Sequence, residues 1–151
     1  MQSEAARRMM DAARERANEI GKPVSVAIVD GSGNLMALER LAEAPSGTVL
    51  VAEGKAVASV VMGRDSIRLE AMARNLPSIM YSLMIRYDGR FVPAQGGVIV
   101  WDGPVAIGAV GVSGASSEED ESIARAGAGA YSEQAQTAGA FSAGTPELAQ
   151  E

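Results

Sequence analysis

The sequence predicts an α+β fold in which helices flank an antiparallel sheet in layers, and three observations lead there. Apolar residues recur at three- and four-residue spacing over residues 3–20, the single stripe of an amphipathic helix. Two short apolar runs rich in β-branched residues, 24–30 and 97–102, each pass through a glycine-containing turn into a returning strand, 35–40 and 105–114. The order is therefore helix, hairpin, helix, irregular helical segment, hairpin, helix, which suits an antiparallel sheet covered by helices.

The first helix places Ala6, Met9, Ala13, Ala17 and Ile20 on one face; Gly21 supplies a C-terminal cap and Pro23 blocks continuation. The glycines of DGSGN (30–34) make the first turn, and Asp30 reads as a turn residue ahead of an acid or base. A second helix is expected over 48–62 with Leu50, Gly54, Val57 and Val61 on one face. Glycine costs about 1 kcal/mol inside a helix, so Gly54 signals the close approach of another backbone or a ligand. Residues 65–74 and 77–85 read as two short helices interrupted by Asn75 and Pro77. Gly108 and Gly111 inside the last strand imply close contact across the sheet. The third long helix, 116–131, opens on a capping box, Ser116 with Glu119 or Ser117 with Asp120, and its acids crowd the positive end of the helix dipole. Beyond Tyr131 the composition falls to Ala, Gly, Ser, Thr and Gln. The expected organisation is a folded domain over 1–131 and a flexible or subunit-wrapping tail over 132–151.

The 151 residues include neither histidine nor cysteine. That excludes disulfides, thiolate nucleophiles, Cys/His zinc sites, iron–sulfur clusters and any imidazole base, and no metal site is expected. Catalytic proton transfer would fall to Asp, Glu, Lys, Tyr or water. Residues 1–115 hold 12 acids and 12 bases, so the whole net charge of −6 comes from residues 116–151. No basic excess points to nucleic acid. The amphipathic N-terminus lacks a secretory h-region, and no apolar run approaches the roughly 20 residues that span a bilayer, so a cytoplasmic protein without a membrane partner is expected.

Several residues are candidates for chemistry. Gly96 and Gly97 either aim backbone N–H groups at a ligand or simply allow a tight turn into the next strand. Ser113–Ser116 reads as a strand-to-helix turn. Glu53 and Lys55 flank Gly54 but lie on different sides of the helix, so they do not form a mutual pair. Lys55, in an apolar stretch, is either a partly buried base or a lysine snorkelling at a subunit interface. Segment 64–91 gathers Arg64, Arg68, Arg74, Arg86 and Arg90 with Met72, Met80, Met84, Tyr81, Tyr87 and Phe91. Guanidinium groups pair with carboxylates, and Met with aromatic side chains builds an adaptable apolar wall, a combination suited to a flat organic acid. The alternative is a solvated arginine face over a Met-filled satellite core. Ligand contacts are accordingly expected from Arg64, Arg68, Met80, Tyr81, Met84, Arg86, Gly96 and Gly97, and acid or base candidates are Lys55, Glu53, Tyr81 and Tyr87.

Three segments, VSVAIVDGSGNLMALER (24–40), AEGKAVAS (52–59) and QGGVIVWDGPVAIGAVGVSGASSEEDESIARAGAGA (95–130), together resemble the GlcG/HbpS family, which also includes the C-terminal domain of PduO-type proteins. The resemblance implies a profilin-like α-β-α domain that assembles into dimers or higher oligomers, and haem as a possible cofactor. Many relatives carry histidine in the first hairpin turn, where this chain has Asn34, so histidine ligation of haem is impossible and Tyr, Met or Lys would have to serve. The expected function is a small-ligand-binding protein holding haem or a comparable flat organic anion near an oligomer interface. The competing expectations are a cofactor-independent enzyme acting on a small organic acid held by arginines, and a structural or regulatory oligomer. The 27 alanines and 17 glycines give thin faces that favour a homo-oligomer.

Overall fold

The amphipathic stripe at the N-terminus forms helix α1 (Ser3–Ile20), and Gly21 ends it in the left-handed region at φ +76°. The computed structural model describes the backbone of residues 1–142 and the side chains of residues 1–133. Then follow β1 (Ser25–Asp30), β2 (Leu35–Arg40), α2 (Gly47–Met62), α3 (Ser66–Asn75), α4 (Pro77–Arg86), β3 (Gly97–Asp102), β4 (Val105–Ser113) and α5 (Ser117–Ser142). The four strands form one antiparallel sheet in the order β2-β1-β4-β3.

Strand alternation splits the core between two faces of this sheet. Val26, Ile28, Val98, Val100, Val110 and Val112 join Met9, Ala13, Ala17, Ile123 and Ala124 in the layer beneath α1 and α5. Val29 and Ala109 point the other way and pack with Ala56, Val57 and Val60 of α2. The expected close contact at Gly111 is the seat of α2: a Cβ there would meet the Ala52 carbonyl and lie 2.7 Å from the Ala56 nitrogen. A third cluster of Ala58, Leu69, Met80 and Phe91, with Met62, Met72, Leu83, Met84 and Tyr87 around it, holds α3 and α4 against α2. The Tyr87 and Phe91 rings stack within it at 6.0 Å.

The start of α3 also covers the outer edge of β3. Gly97 N–H donates to Ser66 Oγ at 2.6 Å and Ile99 N–H donates to Asp65 Oδ1 at 2.9 Å. Those two edge donors are unavailable to another strand.

One expectation is corrected. Helix α5 runs on to Ser142 instead of ending near Tyr131. The Ala, Gln and Glu residues after Tyr131 are good helix formers, so the helix continues without apolar bulk. Residues 143–151 of the expected tail lie outside the described residues. On the face of α2 that Leu50 shares with Gly54, Val57 and Val61, Leu50 itself is 69% exposed. It sits in the first turn, ahead of the stretch from Gly54 to Val60 that is enclosed by the sheet on one side and by segment 87–97 and α3 on the other.

Candidate functional site

Helix α4 starts with Pro77 at its first turn, where the missing N–H costs nothing, and ends where Tyr87 N–H bonds the Leu83 carbonyl. Its inner side is set by Met80, 1% exposed in the satellite core, with Leu83 and Met84 half-buried beside it. Its outer side is open: Ile79, Tyr81 and Ile85 are 51%, 63% and 75% exposed, and Leu76 just before the helix is 45% exposed. Tyr81 and Ile85, four residues apart, lie on one flank, while Ile79 and Arg86, seven apart, share the other. Among the described residues, Arg64, Arg68, Arg74 and Arg86 have no carboxylate ion-pair partner. Arg64 Nη1 instead donates to Met72 Sδ at 3.3 Å. Helix α4 therefore presents apolar side chains to solvent together with Arg86, while Arg64, Arg68 and Arg74 stand earlier in the segment.

Arg90 ties the end of this segment to the first hairpin. Its Nε donates to Glu53 Oε1 at 2.8 Å and its Nη2 to the Gly33 carbonyl at 2.9 Å. Asn34, the next residue, is exposed in that turn, and both its N–H and that of Ser32 donate to Asp30 Oδ1 at 2.9 Å. The Asn34 backbone hydrogen bond is the chief reason the Asp30 carboxyl is held below its ordinary range. Asp30 is thus the turn residue the sequence implied.

The other candidates sit elsewhere. The chain that comes close to Gly54 is Val92: its N–H bonds the Gly54 carbonyl at 3.0 Å, and a Cβ at Gly54 would collide with its side chain. Lys55 is 5% exposed and does not snorkel outward; its Nζ donates to the Val112 carbonyl at 2.9 Å and to Asp120 Oδ2 at 3.0 Å. Asp120, 3% exposed, also accepts the Ala115 N–H at 2.9 Å. Burial pushes its carboxyl upward, against the opposing pull of the Lys55 ammonium. Gly96, at φ +119°, lies against this pair: a Cβ on it would sit 2.9 Å from Lys55 Nζ and 3.0 Å from Asp120 Cβ. Gly97 is pressed onto α2, where a Cβ would meet the Lys55 carbonyl and approach Ser59 Oγ to 2.5 Å. Its N–H is already held by Ser66. The glycine pair and Lys55 thus form one packed knot, apart from helix α4, which carries Tyr81, Met84 and Arg86.

Asp120 is the residue that sequence reasoning missed. The sequence offers it as a capping partner of Ser117 and as one of the acids at the helix dipole, whereas Ser116 and Glu119 close the capping box, with both reciprocal bonds at 3.2 Å. The available signal was Lys55 itself, since a lysine inside an apolar helix stretch demands a carboxylate partner. A cleft of about 310 Å³ lies beside Gln95, Glu118, Glu121, Ser122 and Arg125. Its guanidinium is taken by Glu121 at 2.6 Å and Asp65 at 3.2 Å. Among the described residues no group of His, Cys, Asp and Glu is arranged to hold a metal ion, and no helix is long and apolar enough to cross a membrane.

These features define an α+β domain with a four-stranded antiparallel sheet between helical layers and, on helix α4, an open apolar surface beside Arg86. The family model described as "Haem degrading protein HbpS-like" matches residues 1–129, and the chain belongs to that family. It is 32% identical over 114 residues to the corrinoid adenosyltransferase PduO of Salmonella typhimurium, covering 76% of this chain but only 34% of that protein. The chain therefore spans about a third of the length of that relative. Among solved structures, Klebsiella pneumoniae protein ORFY superposes with a TM-score of 0.79 at 27% identity, covering 87% of this chain and 90% of that one. A PduOC–haem complex superposes with a TM-score of 0.76 at 30% identity, covering 86% and 94%.

Proposed function

We propose that this protein binds haem or a comparable flat organic anion on the α4 face, near a subunit interface and without histidine ligation. The observation that carries the reading is the exposure of Ile79, Tyr81 and Ile85 on the helix that also carries Arg86, which has no carboxylate partner among the described residues. A planar apolar ligand would cover those side chains, at roughly 25 cal/mol per Å² of apolar surface removed from water. Its carboxylates would pair with Arg86, Arg68 or Arg64, because guanidinium–carboxylate pairs are directional and charge-assisted. The Tyr81 hydroxyl has no hydrogen-bond partner among the described residues and would be the side chain on this face to hold haem iron, as tyrosine can. Bound haem would supply redox chemistry at its iron; the chain's own residues would bind, orient and shield it. The solved PduOC–haem complex, 30% identical to this chain, supports the ligand class.

The test is a ferric haem titration followed at the Soret band and by size-exclusion chromatography with light scattering. Saturable binding is expected at micromolar haem, with a changed ligand-field spectrum in Tyr81→Phe and weaker binding in Arg86→Ala. No Soret change up to that concentration would overturn the proposal.

A further inference from the structure

The structure assigns Met72 as a reversible oxidation site, with the Arg64 guanidinium as the group that receives the sulfoxide oxygen. Eight methionines occur in the chain. Met9 and Met80 are 0% and 1% exposed and Met10 is 6% exposed, so an oxidant cannot reach them without unfolding. Met1, Met36, Met62, Met72 and Met84 are half-buried. Of all eight, Met72 is the one whose sulfur accepts a hydrogen bond, from Arg64 Nη1 at 3.3 Å, on an exposed flank of α3. It packs at the rim of the Leu69, Met80 and Phe91 cluster, with its sulfur toward Arg64.

The oxidant class is a hydroperoxide. The sulfur lone pair not engaged by Arg64 attacks the terminal oxygen of the hydroperoxide, the S–O bond forms as the O–O bond breaks, and the departing oxygen takes up the proton of the transferred one and leaves as water, or as an alcohol from an alkyl hydroperoxide. The thioether is oxidised and the peroxide reduced. The new S–O bond is strongly polar, with negative charge on oxygen, and the adjacent guanidinium donates to it as that charge develops. No hydrogen bond to the sulfur of Met62 or Met84 is present among the described residues. Because the product bonds outward to Arg64, the modified side chain need not carry an unsatisfied oxygen into the apolar cluster, and α3 stays docked. Arg64 is also a proposed anion contact, so the mark would weaken ligand binding; that consequence rests on the preceding proposal, whereas the oxidation site does not.

Graded hydrogen peroxide treatment of the full chain, with peptide mass spectrometry at each methionine, tests the assignment. Met72 should oxidise first, and Arg64→Ala should lower its rate relative to Met84 in the same molecule by roughly fivefold, the share of a charge-assisted hydrogen bond formed in the transition state. Methionine sulfoxide reductase should restore the original mass, and the singly oxidised protein should melt as a native fold. Oxidation of Met62 or Met84 at the same rate as Met72, or an unchanged ratio in Arg64→Ala, overturns the proposal. Failure of haem binding with Met72 selectivity intact would count only against the ligand reading.

Discussion

Lys55 and Asp120 meet at 3.0 Å with side chains 7% and 4% exposed, joining helix α2 on one face of the sheet to the start of α5 beyond the other. The pair satisfies the Val112 carbonyl and the Ala115 N–H as well, so four chain segments converge on it. Removing one partner leaves an uncompensated buried charge, whereas removing both leaves an apolar defect.

Lys55→Met should therefore destabilise the protein by about 3–5 kcal/mol in urea unfolding, and Lys55→Met with Asp120→Leu should recover much of that loss. If the double variant is no more stable than the single one, the pair is not the coupled unit its geometry describes.

The pH dependence of the two buried or tethered aspartates should run in opposite directions. Asp120 is raised in the folded state by burial, so the folded state binds its proton more tightly. Its contribution is greatest in acid and declines as pH rises through the raised value. In Lys55→Met the opposing ammonium is gone, and stability should be higher near pH 4, about the ordinary carboxylate value, than at neutrality.

Asp30 is lowered by the Asn34 and Ser32 N–H bonds, so its contribution is present above the ordinary carboxylate range and is lost as pH falls through the lowered value. Asp30→Ala should cost about 1 kcal/mol at neutral pH and progressively less in acid, measured by denaturant midpoints across a pH series. A constant difference across the series would show that the carboxylate charge is irrelevant to the turn.

Gly111→Ala should be more damaging than a surface glycine-to-alanine change, since its Cβ would drive into the Ala52 carbonyl and the Ala56 nitrogen, both backbone. A loss of about 1–3 kcal/mol or more is expected from such overpacking. Gly129→Ala, which meets nothing within 4 Å, is the control.

Asp65→Ala with Ser66→Ala should free the Gly97 and Ile99 N–H groups on the β3 edge. Light scattering at rising concentration should then show more self-association than the parent, because an open edge offers donors to a second strand. Equal scattering would mean that other features of β3 already block pairing.

The elements and their order were legible along the chain because each depends on local periodicity and turn chemistry. The stripe of Met9, Ala13 and Ala17, the turn at Asp30, the break at Pro77 and the capping box at Ser116 are all decided within a few residues. The lack of histidine and cysteine, the charge carried wholly after residue 115, and the close approach announced by Gly54 and Gly111 are likewise sequence properties. What approaches those glycines is not: Val92 at Gly54 and helix α2 at Gly111 are contacts between segments dozens of residues apart. The same holds for Lys55, whose partner lies 65 positions away, and for segment 64–91, where composition mixed ligand-like and core-like residues. Only packing sorted them, turning Met80 inward and leaving Tyr81 and Ile85 to solvent. Sequence fixes what a residue can do and its local geometry; which side of an element meets another is decided when distant segments exclude water together.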